Sequence, residues 1–387
     1  MAHRSSKILV VSRPLAPNMA AFACLAIGCG SVTHFVDKSQ DAACGPQTSS
    51  TNVSPSGSAD TSAADGGAAC PQIAQSSSRL WLPDGSSSST DCTAPLVPGD
   101  DRICMLGNRT YLLYAPPNYN PCEPAALVVD AHGALETAAQ QAGNDSIFCA
   151  LGACWPGKGS GFRLEAAMPG GGFIVATPQG INNMWSTTNN DPQLMLDIVD
   201  HVKSIAKIDP KKIYMSGISN GAAITYQTGC PNTGVFSALA PHSGGSTCTS
   251  IDHPISVIAF DASPDFAYQG SVAAKDAMVQ LNHCKNGPHD WLTIDSSYMD
   301  PVCRDDPYST DPKLMPCSSI NPAIAPTVCR MWDQCDGGVE VVFCDVAPGS
   351  IHADRNNPSI NDAHIIYGNA SHLNTPSIAW RFFKRHW

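Results

Sequence analysis

Basic charge is scarce in this chain. Lys and Arg number 22 against 33 Asp and Glu, a net charge of −11 over 387 residues, which argues against a basic patch that grips nucleic acid or an anionic membrane surface. A neutral or insoluble substrate is indifferent to that deficit. Charge of either sign makes up only 14% of the residues while hydrophobic ones make up 43%, enough to bury a large core in one catalytic domain with appendages. Also absent are internal repeats, the C-x2-C pairs that mark structural zinc, and an apolar run long enough to anchor a mature chain across a bilayer.

Cysteine, by contrast, is plentiful. Seventeen scattered cysteines without zinc spacing read as disulfides, and disulfides place the protein in an oxidising compartment outside the cytosol. The N-terminus agrees. Arg4, Lys7 and Arg13 precede the small, apolar run Met19–Cys29, the charge-then-apolar order of a secretion signal. Plain secretion and lipid anchorage at Cys24 or Cys29 both stay open. Beyond it the chain turns to Ser, Thr, Ala, Gly and Asp, as in Ser86–Thr90, and such a stretch buries too little apolar surface to offset its ordering entropy. The expected organisation is a signal over 1–29, a flexible linker over 30–90 and a catalytic domain over 91–387.

Within that domain, short apolar runs with little alternation recur at Arg109–Ala115, Ala125–Asp130, Gly172–Thr177, Lys212–Ser216, Ile255–Phe260 and Val339–Cys344. Strands buried on both faces of a parallel sheet look like this. Met195, Ile198, Val199, Val202 and Ile205 keep helical spacing, with Asp209-Pro210 expected to end that helix, and Pro376–His386 reads as a closing helix. The alternation is that of an α/β protein with a mostly parallel sheet flanked by helices.

Gly217-Ile218-Ser219-Asn220-Gly221 lies between the fourth of those strands and a helical stretch, Ala222–Cys230. That is the layout of a nucleophile elbow, in which glycines allow the sharp turn that presents a serine hydroxyl. In such hydrolases the acid and then the base follow on loops after later strands. Asp265 is preferred as the acid, with Asp261 its competitor. His352 follows the last strand by a few residues and is preferred as the base over His364 and His372. Oxyanion donors are expected from the N–H of Asn220 and from that of Gly133 or Ala134, after the Ala125–Asp130 strand.

With these residues in place, the chain resembles the secreted polyhydroxybutyrate depolymerase and feruloyl esterase family of α/β-hydrolases over about residues 105–387. The resemblance rests on His132-Gly133, Glu136-Thr137-Ala138, Ile208-Asp209-Pro210, the Ser219-Asn220-Gly221 elbow and Phe236–Gly245. It implies Ser219 as nucleophile, Asp265 as acid and His352 as base. Trp185 matches a tryptophan near the substrate cleft, packing being its alternative role, and His132 is a second substrate-binding candidate. Where the family often has His-Gly this chain has Asp261-Ala262, and where the family has Gly-Gly-His-Thr-Trp it has Gly349–Ala353. An insertion over Asn144–Gly161 with Cys149 and Cys154 is expected to form a disulfide-pinned rim.

The expectation is an exported serine esterase working through an acyl-enzyme, with no metal or organic cofactor, and acting on a polymeric or small ester. Polyhydroxybutyrate depolymerase leads; a feruloyl or acetylxylan esterase comes second. A third alternative is an inactive hydrolase scaffold that binds polymer or carbohydrate.

Overall fold

The computed structural model describes residues 92–142, 161–167, 169–263, 265–294, 327–346 and 375–387. The signal, the linker, the Cys149–Cys154 rim and all three candidate bases, His352, His364 and His372, lie outside the described residues.

Among the described residues ten strands form one sheet: β1 (Asp101–Leu106), β2 (Arg109–Tyr114), β3 (Ala125–Ala131), β4 (Ile174–Pro178), β5 (Ile208–Ile218), β6 (Ala238–His242), β7 (Ser256–Asp261), β8 (Asn286–Ile294), β9 (Thr327–Asp333) and β10 (Val341–Asp345). Their order across the sheet is β1-β2-β4-β3-β5-β6-β7-β10-β9-β8. From β4 to β10 every neighbour is parallel, and an antiparallel strand pair closes each edge. Parallel neighbours need crossovers, and the helices supply them. In chain order they are α1 (Ala138–Gln141), α2 (Gly161–Ala167), α3 (Asp191–Ile205), α4 (Asn220–Gly229), α5 (Tyr268–Leu281) and α6 (Thr375–Phe383).

The two-residue period of the strands divides the core into two layers. Leu127 and Val129 of β3, with Ile213 and Met215 of β5, meet α3 through Met195, Ile198, Val199 and Val202 on one face. Val128, Tyr214, Ile258 and Phe260 point to the other face, where α2 and α6 bring Phe162, Trp380 and Phe383. Tyr214 stacks on Phe383 at 4.2 Å, and Trp380 packs on Phe173 at 3.9 Å. Covering on both faces explains why the central strands read as continuous apolar runs.

Two expectations need correction. α3 ends at Ile205 rather than at Asp209-Pro210, which instead lie inside β5, where Ile208 already pairs with Ala125. β5 is also much longer than its apolar run, because its polar, half-buried to exposed first half pairs with β3 at Ala125 across a register shift. Among the described residues four disulfides close: Cys92–Cys104, Cys230–Cys248, Cys284–Cys335 and Cys329–Cys344.

Candidate active site

β5 ends at Ile218 and α4 begins at Asn220, so Ser219 must turn the chain alone. It does so at φ 57°, ψ −115°, a left-handed conformation that costs a residue with a Cβ about 1–3 kcal/mol. The flanking glycines make the turn sterically feasible. A Cβ on Gly217 would stand 2.5 Å from the Gly221 carbonyl oxygen, and one on Gly221 would collide with the Ala131 carbonyl at the end of β3. The Ser219 N–H donates to the His242 carbonyl at 2.8 Å, tying the turn to β6. Asn220, as first residue of α4, has no acceptor for its N–H within the helix.

The Asn220 side chain performs a second task, since its Oδ1 accepts from the Trp185 N–H at 2.6 Å. Trp185 in turn donates its Nε1–H to the His132 carbonyl at 2.7 Å, and the two rings pack at 4.6 Å. His132 is clasped at both ring nitrogens: Nδ1–H donates to the Gly133 carbonyl at 2.6 Å and Nε2 accepts from the Gly180 N–H at 3.0 Å. Burial pushes its pKa down to about 4, with the Gly133 carbonyl and Asp191 pulling weakly the other way, so the ring is neutral. Elbow, β3 loop and β4 loop are thereby joined by hydrogen bonds.

These bonds revise the substrate-binding assignments. His132 is fully buried with both nitrogens engaged, and Trp185 is 4% exposed. His132 therefore holds the loop rather than lining a cleft, and Trp185 packs in the core that supports the elbow. Gly133 is corrected as well. Its N–H donates to Glu136 Oε2 at 2.8 Å and is not open to an oxyanion. The next residue, Ala134, is exposed, and its N–H makes no hydrogen bond among the described residues. Leu135, at φ 66°, donates its N–H to the Asn183 carbonyl at 2.8 Å and fixes the far side of the turn.

On the other side of β6, β7 delivers both candidate acids. Asp261 is its fully buried last residue, and Asp265 follows on the loop at 5% exposure. Asp265 Oδ1 accepts from the Ala267 N–H at 3.0 Å, and its own N–H reaches the Ala262 carbonyl at 2.8 Å. Burial first, and then the neighbouring Asp265, hold the Asp261 carboxyl well above the ordinary carboxylate range. β10 pairs with β7 so that Asp345 lies opposite Asp261, and the Val346 N–H bonds the Asp261 carbonyl at 2.8 Å. β10 therefore ends beside the acids.

Several supporting residues were not legible in advance. Glu136 appeared only as part of a motif, and nothing about it marked the bond to Gly133. The pair Arg109–Asp191, 2.7 Å apart, spans two elements, with the Ser186 N–H on the second carboxylate oxygen of Asp191 at 2.6 Å. His242 is fully buried, stacked on Phe260 at 4.7 Å, and burial pushes its pKa down to about 3. Among the described residues no cluster of three or more His, Cys, Asp or Glu side chains is placed to hold a metal ion.

No family model matches the chain. Feruloyl esterase C of Emericella nidulans is 27% identical over 188 residues, covering 47% of this chain and 65% of that protein. Poly(3-hydroxybutyrate) depolymerase of Ralstonia pickettii is 26% identical over 166 residues, 38% of this chain and 32% of that protein. The chain thus spans less than two thirds of the length of either relative. Among solved structures, an acetyl xylan esterase from Aspergillus awamori aligns over 66% of this chain and 95% of its own, with a TM-score of 0.40 and 15% identity. The mostly parallel sheet and its strand-to-helix elbow are those of the α/β-hydrolase fold, and the chain is homologous to the feruloyl esterases and the polyhydroxybutyrate depolymerase.

Proposed function

We propose that this protein is an exported serine esterase. The single observation that carries the reading is the strained φ of Ser219 at the β5–α4 junction, since strained residues at such a strand-to-helix turn are the form in which a nucleophilic serine is presented. In this reading Ser219 Oγ attacks the ester carbonyl while a histidine takes its proton, forming a tetrahedral intermediate whose oxyanion accepts from the N–H groups of Asn220 and Ala134. Collapse expels the alcohol, which receives that proton. Water then attacks the acyl-enzyme by the same route and releases the acid. Asp265 orients the base and stabilises its imidazolium. His352 is assigned as base because it follows β10, whose end adjoins Asp261.

The homology ranks the substrates differently from the motifs alone. Feruloyl esterases of several fungi resemble the chain over a longer stretch than the depolymerase does, so a feruloyl or acetylxylan ester stands ahead of a polyester. Export is supported by the disulfides, and no helix among the described residues is long and apolar enough to cross a membrane. The test is a panel of methyl ferulate, acetylated xylan, p-nitrophenyl esters and polyhydroxybutyrate film, run with the wild type and Ser219→Ala. Turnover of an aryl or acetyl ester that vanishes in Ser219→Ala is expected; hydrolysis of none of these esters by folded protein would refute the reading.

A further inference from the structure

Two acids stand together where an orienting group for a base requires one. Asp261 is wholly buried at the end of β7; its Oδ1 accepts from the Ala262 N–H at 2.7 Å, and the Ser271 hydroxyl on α5 is hydrogen-bonded to its Oδ2. The turn after β7, closed by the Asp265 N–H on the Ala262 carbonyl at 2.8 Å, brings the two buried carboxyls within interaction reach of each other. Two carboxyls so placed do not both ionise, so the pair holds one proton. Asp261 is the better holder, being the more deeply buried and thus the more costly to ionise.

We propose that Asp261 is a positioning residue for Asp265: it keeps the proton of the pair and donates it to Asp265, leaving Asp265 as a single anion held in a fixed direction for the base. This rests on the assignment of Asp265 as the acid of the esterase. Among the described residues, the titratable groups tied to the pair are Tyr268, which feels the charge of Asp261, and Asp345, which lies opposite Asp261 on β10; His242 and Arg330 lie on β6 and β9. Tyr268, on α5, donates its phenol proton to Asp345 Oδ2 at 3.1 Å, and burial, then Asp345 and Asp261, push its pKa up to about 12. It stays neutral through the working range. His242 is buried and neutral, and Arg330 acts on Tyr268. Ionisation of Asp261 would set two anions side by side and turn Asp265 away from its bond from the Ala267 N–H.

Stability tests the shared proton without reference to activity. A carboxyl whose folded pKa lies above its unfolded value near 3.9 binds its proton more tightly in the fold, so its contribution to stability is present at low pH and is lost as pH rises through the folded pKa. Asp261→Asn removes that loss. The Tm of Asp261→Asn minus that of the wild type should therefore be larger at pH 8.5 than at pH 5; the same difference at both would overturn the proposal. Activity tests the roles. Asp265→Asn should lose about 10^3–10^4-fold in kcat, as expected when a base loses its orienting anion. Asp261→Leu should lose about tenfold or more. Asp261→Asn, whose amide donates as the protonated acid does, should recover most of that loss and carry activity further into the alkaline range. An inactive Asp261→Asn beside an active Asp265→Asn would make Asp261 the acid and overturn the division of roles, while full activity in both would refute Asp265 as the acid, whatever the stability measurement shows.

Discussion

Replacing Ser219 with glycine should stabilise the protein while abolishing its chemistry. Ser219 is held at φ 57°, ψ −115°, and strain of this kind costs about 1–3 kcal/mol for a residue with a Cβ. Alanine keeps the Cβ and the strain, whereas glycine adopts this conformation freely. Glycine also loosens the unfolded chain, which offsets about 0.4–1 kcal/mol of the gain. The Ser219 side chain makes no capping bond to α4, and both variants lose the hydroxyl, so comparing Gly with Ala isolates the backbone. The net expectation is that Ser219→Gly exceeds Ser219→Ala in stability by about 1–2 kcal/mol, or about 2–8 °C in Tm for a domain of this size. Scanning calorimetry of the two variants, alongside ester turnover, makes the measurement. A glycine variant no more stable than the alanine one would refute the claim that strain is stored at this corner.

Glu136→Ala releases the Gly133 N–H and with it the turn that carries Ala134; kcat should fall about 10- to 100-fold with KM little changed, a fraction of what one oxyanion donor is worth, and Glu136→Gln, which still accepts, should recover most of it in steady-state assays. An unaltered kcat in Glu136→Ala would free the loop from this dependence. His132 and His242 are buried neutral, with pKa values lowered to about 4 and about 3, so the unfolded chain binds protons first as pH falls below about 6.5. Tm should therefore decline from pH 6.5 towards 4, and His242→Phe should flatten that decline; equal slopes in variant and wild type would contradict it. Cys284–Cys335 closes a separation of 51 residues, and its replacement by two serines should cost about 4 kcal/mol on the chain-entropy account, measured by urea unfolding, with a loss below 1 kcal/mol counting against it.

The central strands were legible because burial on both faces leaves a continuous apolar signature, as at Ala125–Ala131 and Ser256–Asp261. β8 and β9 were not: β8 is exposed and polar over Asn286–Asp290, and its residues are fixed by pairing with β9 rather than by any pattern of their own. The elbow could be read from its glycines, since the steric demand of that turn is local. The partners of the candidate oxyanion loop could not, because the bond from Gly133 to Glu136 consumes a donor that spacing alone shows as available. His132 misled for a related reason: a histidine beside a glycine in a motif looks chemical, yet its ring nitrogens are taken by two backbone groups from different loops. Asp261 and Asp265 were both visible as acids, but their nearness depends on how the chain turns after β7.

The central claim is that Ser219 is an activated nucleophile, and covalent labelling tests it most directly. The full chain incubated with a fluorophosphonate should gain one adduct per molecule, mapped by peptide mass spectrometry to Ser219, with ester turnover lost in proportion to labelling and no adduct on folded Ser219→Ala. Full ester turnover by a protein that carries no adduct at Ser219, or an adduct that persists on Ser219→Ala with its activity, would contradict the account.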